Sequence, residues 1–275
     1  MKQALTIAGS DCSGGAGIQA DLKTFAAHGV YGMSVIASVV AENTCRVLAI
    51  QDIEPDMIEK QITAVFEDID VHAVKVGMLS SIESMKAVGK MLKQYRPKHI
   101  VIDPVMMAKG GCALMQKEAL SVLITDIIPL ASILTPNIPE AETITGIKIQ
   151  TEEDCKKAAI QIYQMGAKYV LIKGGHLSAE QDATDLLYDG KSFQTFTVKR
   201  IATKNTHGTG CTFSSAIAAN LALGYPLSKA VANAKNYITM TIVHALEIGN
   251  GHGPTHHLYD IYQNGLTIKE NQNEL

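Results

Sequence analysis

The chain lacks a broad excess of either charge: its formal net charge is -3 over 275 residues, so composition implies no extended basic surface for nucleic acid. It also lacks a C-x-x-C pair and any Cys/His spacing suited to structural zinc. Its five cysteines, at 12, 45, 112, 155 and 211, are odd in number and are expected to be reduced thiols. No G-x-x-x-x-G-K-[ST] loop occurs, so any phosphate must be met by other backbone turns. The apolar run after Met1 is too short for a secretory leader, and no stretch nears membrane-spanning length without polar interruption. A cytoplasmic protein with neither nucleic-acid nor membrane partners is therefore expected. With no repeat and no linker of biased composition, residues 1–275 are expected to form one domain, with 263–275 as a frayed tail.

What the chain does have is apolar residue in quantity, 47% against 19% charged, enough for a large core. Short apolar runs at 4–8, 33–41, 71–76, 99–102, 131–134 and 169–172 read as strands, and segments at 186–188 and 193–198 as a hairpin around Asp189-Gly190. Helical spacing recurs at Ile18, Leu22 and Phe25, after Pro55, and over 82–95, 119–128, 139–145, 152–165 and 228–247. Strands alternating with helices predict a mostly parallel sheet covered on both faces. Ligands of such sheets gather at the strands' carboxyl ends, here Gly9-Ser10-Asp11, Glu42-Asn43, Gly77-Met78, Asp103-Pro104, Thr135-Pro136-Asn137 and Lys173-Gly174-Gly175.

One further stretch stands out. His207-Gly208-Thr209-Gly210-Cys211-Thr212 runs into a helix of small and apolar residues. Its first N–H groups and the helix dipole make a ready anion site, and the two glycines keep side chains out of it. Cys211 at its lip reads either as a thiol with a lowered pKa or as an ordinary buried cysteine.

Other features are weighed against plainer readings. Gly15-Ala16-Gly17-Ile18-Gln19-Ala20 matches a dinucleotide fingerprint, but its glycines lie too far beyond the strand end at Gly9 to form the first tight turn. Asn137-Ile138-Pro139-Glu140 could offer oxygen ligands to Mg²⁺, while local chemistry alone favours a capping box. Asp103 could support the same ion or merely cap a turn. Lys109 and Lys173, each beside Gly-Gly, could meet phosphate or be solvated. His252, His256 and His257 are expected in a solvent-facing tail, and Asp185 and Asp189 to be structural.

Taken together, Ala4 to Asp11, Ser13 to Phe25, Val76 to Leu79, Asp103 to Met106, Thr135 to Glu142, Lys173 to His176 and His207 to Thr212 resemble, in this order, the bacterial hydroxymethylpyrimidine/phosphomethylpyrimidine kinases within the ribokinase superfamily. The resemblance implies a ribokinase-like three-layer α/β/α sandwich and ATP- and Mg²⁺-dependent phosphorylation of 4-amino-5-hydroxymethyl-2-methylpyrimidine, then of its monophosphate. It puts Cys211 at the catalytic base, with Gly208 and Gly210 in the anion hole. Ala16, Asp21, Val40, Glu42 and Met78 fall on pyrimidine-pocket positions, and Lys109 is expected to close over the phosphomethyl substrate. Asn137 and Glu140 match the Mg-phosphate motif; Lys173, Gly174 and Thr209 lie along the nucleotide, and Lys235 borders adenine. A homodimer is expected from the same likeness. At position 42 many relatives carry Gln, and Glu42 only accepts hydrogen bonds when ionised. The same vitamin-kinase branch holds pyridoxal kinases, the alternative activity. A non-catalytic vitamin-binding protein is a third reading, against which the intact Cys211, Asn137 and Glu140 speak.

Overall fold

Period-two alternation sorts the short apolar runs onto two cores. Leu5, Ile7, Val74, Val76, Ile100, Ile102 and Leu134 point into one, while Ala4, Ala73, Val101, Ile133 and Leu171 point into the other. The computed structural model describes residues 1–107, 111, 113–116, 118–174 and 182–265. Its strands are β1 (Gln3–Gly9), β2 (Tyr31–Glu42), β3 (Val47–Asp52), β4 (Ala73–Val76), β5 (Ile100–Ile102), β6 (Ile133–Leu134), β7 (Val170–Ile172), β8 (Asp182–Tyr188) and β9 (Phe193–Lys199). They form one sheet in the order β3-β2-β1-β4-β5-β6-β7-β8-β9. β2 to β7 run parallel through β1, and the edges β3, β8 and β9 are antiparallel.

Helices α1 (Gly17–Ala27), α7 (Thr209–Ala222) and α8 (Leu227–Val243) cover one face. α2 (Pro55–Phe66), α3 (Ile82–Tyr95), α4 (Ala119–Val122), α5 (Ile138–Thr145) and α6 (Glu152–Gln164) cover the other, and α9 (Tyr259–Asn264) follows near the end. Local chemistry sets several starts: Pro55 opens α2, and reciprocal capping boxes open α3 (Ser81/Ser84), α5 (Asn137/Glu140) and α6 (Thr151/Asp154). Small residues let α7 lie close to the sheet, with Ser214, Ser215, Ala216, Ala218 and Ala219 all buried. Each large aliphatic side chain taken fully out of water there contributes roughly 1.5–3 kcal/mol.

The three-layer sandwich and its mostly parallel sheet are as expected. Three elements differ. β3 had no apolar alternation to announce it, since Leu48, Ala49, Gln51 and Asp52 all face solvent on the sheet edge. The helix expected over 119–128 is one α-turn, a π-helical stretch 123–127 and a 3₁₀ turn 128–130 that contains Pro129, which cannot donate to a continuing ladder. The histidine-rich segment is no solvent-facing tail: His257 is buried, its Nε2 is 2.9 Å from Thr212 Oγ1, and Tyr237 donates to its carbonyl at 2.7 Å. Burial pushes that imidazole down to about 4. Among the described residues, no helix is long and apolar enough to cross a membrane.

Candidate active site

Parallel strands end on one side, so β1, β2, β4, β5, β6 and β7 deliver their last residues to one edge of the sheet. A cleft of about 840 Å³ opens there. Its wall includes Ala16, Val40, Glu42, Met78, Asn137, Glu140, Lys173, Gly208, Thr209, Gly210, Cys211 and Lys235. Two expected residues stand elsewhere. Asp21 is fully buried beneath the wall, where it accepts from Thr6 Oγ1 (2.6 Å), Lys75 Nζ (2.8 Å) and Ser215 Oγ (2.6 Å). Gly174 packs against the Thr184 carbonyl, and its N–H donates to Asp185 Oδ1 at 3.1 Å. Lys109 lies outside the described residues.

The turn before α7 is shaped by contact with the first loop of the chain. Gly208 has φ +77°, and a Cβ there would run into the Gly15 carbonyl; Gly15 in turn sits against the His207 ring. Gly17, at φ +55°, is pressed on the Gly9 carbonyl. The glycines that mimic a dinucleotide fingerprint therefore serve close packing within the chain. On the far side of the turn, a Cβ on Gly210 would lie 3.3 Å from Asp103 Oδ2 and 3.5 Å from Lys173 Nζ. The open N-terminus of α7 thus reaches from the Ala16 wall to the Lys173 ammonium.

Two lysines of the cleft are ion-paired. Lys173 Nζ donates to Asp103 Oδ1 at 2.6 Å, and Lys235 Nζ to Asp185 Oδ2 at 2.6 Å. Burial works against the Lys173 ammonium, but the Asp103 and Glu140 charges hold its pKa above the usual lysine value. Burial pushes the Glu140 carboxyl up to about 7, with Lys173 opposing. Asn137 Oδ1 accepts from the Glu140 N–H at 2.9 Å while Glu140 Oε2 accepts from the Asn137 N–H at 2.8 Å. The capping box is thus real, and it leaves a buried carboxyl group on the cleft wall.

Of the two readings of Cys211, the electrostatics side with the buried thiol. Burial pushes its thiol up to about 11; the Lys75 ammonium pulls the other way, and Asp21 and Asp103 add to the rise. At the opposite wall, burial first and then the Asp11 charge push Glu42 up to about 7. Asp11 itself is held well below the usual carboxylate range: burial opposes this, but hydrogen bonds from His207, Ser13 and Ala16 win.

Asp11, His207, Asp185 and Lys75 were not singled out from sequence as site residues. Asp11 carried a faint signal, a short acid two residues before Ser13-Gly14-Gly15, where a side chain can gather backbone N–H groups. From sequence alone Asp185 reads as structural only.

A cleft at the strand ends, with the glycine turn before α7 and two ion-paired lysines on its wall, is an arrangement suited to transfer of a phosphoryl group to a small molecule. The family model described as "Phosphomethylpyrimidine kinase" matches residues 11–256. The chain belongs to the phosphomethylpyrimidine kinase family. It is 49% identical over 259 residues to the hydroxymethylpyrimidine/phosphomethylpyrimidine kinase of Rhizobium meliloti, covering 93% of this chain and 97% of that one. It is 52% identical over 254 residues to the thiamine biosynthesis bifunctional protein ThiED of Geobacter sulfurreducens, covering 92% of this chain and 52% of that protein, so it spans about half of that relative's length. An ADP complex of Bacillus subtilis pyridoxal kinase superposes with a TM-score of 0.88 at 40% identity, covering 94% of this chain and 98% of that one.

Proposed function

We propose that the chain moves the γ-phosphoryl group of ATP to the hydroxymethyl oxygen of 4-amino-5-hydroxymethyl-2-methylpyrimidine, and then phosphorylates the monophosphate to the diphosphate for thiamine biosynthesis. The observation that carries this reading is the reach of the α7 turn, with Gly208 against Ala16 on one side and Gly210 facing Asp103 and Lys173 on the other. An alcohol held at Ala16, Val40, Glu42 and Met78 would lie on one flank of the anion hole, and nucleotide phosphates at Lys173 on the other. Phosphoryl transfer asks chiefly for such alignment and for neutralised charge. Each turn N–H aimed at the transferring group would contribute roughly 2.7–4 kcal/mol, as in comparable holes. Cys211 takes the alcohol proton, Thr209 borders the nucleotide, and Lys235 borders its base.

Mg²⁺ fits the donor set, because a hard ion that keeps most of its waters needs only one or two carboxylates plus substrate phosphates. Asp103 and Glu140 would hold it, with Asn137 fixing Glu140 through the capping box. The ion supplies neutralisation of phosphate charge.

Purified protein with Mg-ATP and the pyrimidine alcohol should release ADP and yield the mono- and then the diphosphate by mass spectrometry. The likeness to the B. subtilis pyridoxal kinase favours a second reading, phosphorylation of pyridoxal. Turnover with pyridoxal and none with the pyrimidine would move the assignment there. We also propose a cytoplasmic homodimer, supported by exposed apolar side chains at the β2–β3 edge, among them Val39 and Leu48.

A further inference from the structure

Four helical threonines turn their hydroxyls back on the helix they stand in. Thr24 donates to the Ala20 carbonyl at 2.7 Å, Thr143 to Pro139 at 2.8 Å, Thr145 to Ala141 at 2.7 Å and Thr239 to Lys235 at 2.7 Å, each four residues back. Such back-bonding bends a helix. Thr212, in the first turn of α7, has the Gly208 carbonyl at the same spacing. There the carbonyl accepts the Thr212 N–H at 2.9 Å, and the hydroxyl is turned to the imidazole of His257, with Oγ1 2.9 Å from Nε2. Both side chains are buried, Thr212 fully.

His257 is itself fixed. Tyr237 of α8 donates to its carbonyl at 2.7 Å, and the His256 N–H donates to the Thr241 carbonyl of the same helix at 3.0 Å. Just ahead of it, the Gly253 carbonyl accepts from the His207 N–H at 3.1 Å, and the Gly253 N–H donates to Asn205 Oδ1 at 3.1 Å. From a footing on α8, residues 253–257 thus grip the chain on both sides of Gly208.

We propose that His257 is a positioning residue for phosphoryl transfer: its Nε2 accepts from the Thr212 hydroxyl, keeps that hydroxyl off the Gly208 carbonyl, and so sets the direction of the N–H groups that open α7. This deepens the phosphoryl-transfer reading above, on which it rests. Burial holds the imidazole pKa down to about 4, so near neutral pH the ring is uncharged and has an acceptor nitrogen to offer. Thr255 Oγ1, 3.5 Å from that nitrogen, is the more distant of its two hydroxyl partners. Were the Thr212 hydroxyl to turn back, the Gly208 carbonyl would serve two donors and the first turn of α7 would tilt. Gly208 is pressed on the Gly15 carbonyl, so the shift would fall on the Gly210 end, beside Asp103 and Lys173.

Initial rates with Mg-ATP and the pyrimidine alcohol, counted per folded molecule from each variant's urea curve, separate positioning from mere support. H257A, and H257L, which fills the space without an acceptor, should lower kcat about 10- to 100-fold and leave KM for both substrates at the native value. H257Q, whose amide oxygen accepts in place of Nε2, should recover most of the loss. Adding T212V to either acceptor-less variant should also recover most of it, because the hydroxyl that turns back is then gone. An unchanged kcat in H257L, a KM that rises as kcat falls, or a further loss on adding T212V overturns the proposal. Amide hydrogen exchange in the ligand-free protein needs no substrate: H257L should speed exchange at the Thr212 amide and leave the strands at native rates. Uniform or unchanged exchange overturns the proposal. If the native protein turns over no pyrimidine alcohol, that substrate reading fails, and the Thr212 exchange decides the proposal by itself.

Discussion

At the level of single residues, Cys211 decides how the reaction would respond to pH. With its thiol pushed up to about 11, the thiolate that would act as base is scarce at neutral pH. The sign follows: deprotonation increases as pH rises toward that value, so kcat at saturating substrate should climb about tenfold per pH unit between roughly 7 and 9. A stopped assay of ADP release across that range, with Cys211→Ala as the comparison, tests this. The variant should lose about 10²- to 10⁴-fold in kcat and show no such slope. A flat native profile would remove Cys211 from the role of base. Gly208 makes a stability claim instead. Its positive φ and the Gly15 carbonyl leave no room for a methyl group, so Gly208→Ala should cost about 2 kcal/mol or more in urea unfolding.

At the level of elements, the Lys75–Asp21 pair ties β4 to α1, and Ser215 brings in α7. Both charged side chains are fully shielded from solvent, so Lys75→Met leaves an unpaired buried carboxylate and should cost about 3–5 kcal/mol. Adding Asp21→Asn should recover most of that loss; equal unfolding midpoints for native and Lys75→Met protein would contradict it. The same pair shows what the sequence could and could not reveal. Capping boxes and Pro55 act over a few residues, so α2, α3, α5 and α6 were legible, as were the buried parallel strands. The glycine turn that opens α7 was legible too, being one continuous stretch. Ion pairs were not: Lys75 and Asp21 stand 54 positions apart, Lys235 and Asp185 stand 50 apart, and Lys173 and Asp103 stand 70 apart. Composition cannot choose among lysines and acids at such distances. β3 was hidden for another reason, since an exposed edge strand needs no apolar face.

At the level of the whole molecule, the open β3 edge sets the assembly prediction. Leu48, 61% exposed there, should be covered in a homodimer. Light scattering should then give twice the 29.5 kDa chain mass, and Leu48→Lys should lower it to the single-chain value. A native mass equal to one chain would end the dimer proposal. The contact between Asp11 and His207 closes a loop of 196 positions, and the Gly15–Gly208 contact nearly as long a one. Contacts of such span form late, because chain entropy must be given up before they return anything. On the ribosome, a chain extended as far as Lys199 already holds every described strand of the sheet and the Glu42 wall, but not the turn before α7. The cleft is therefore complete only after α7 has emerged and docked.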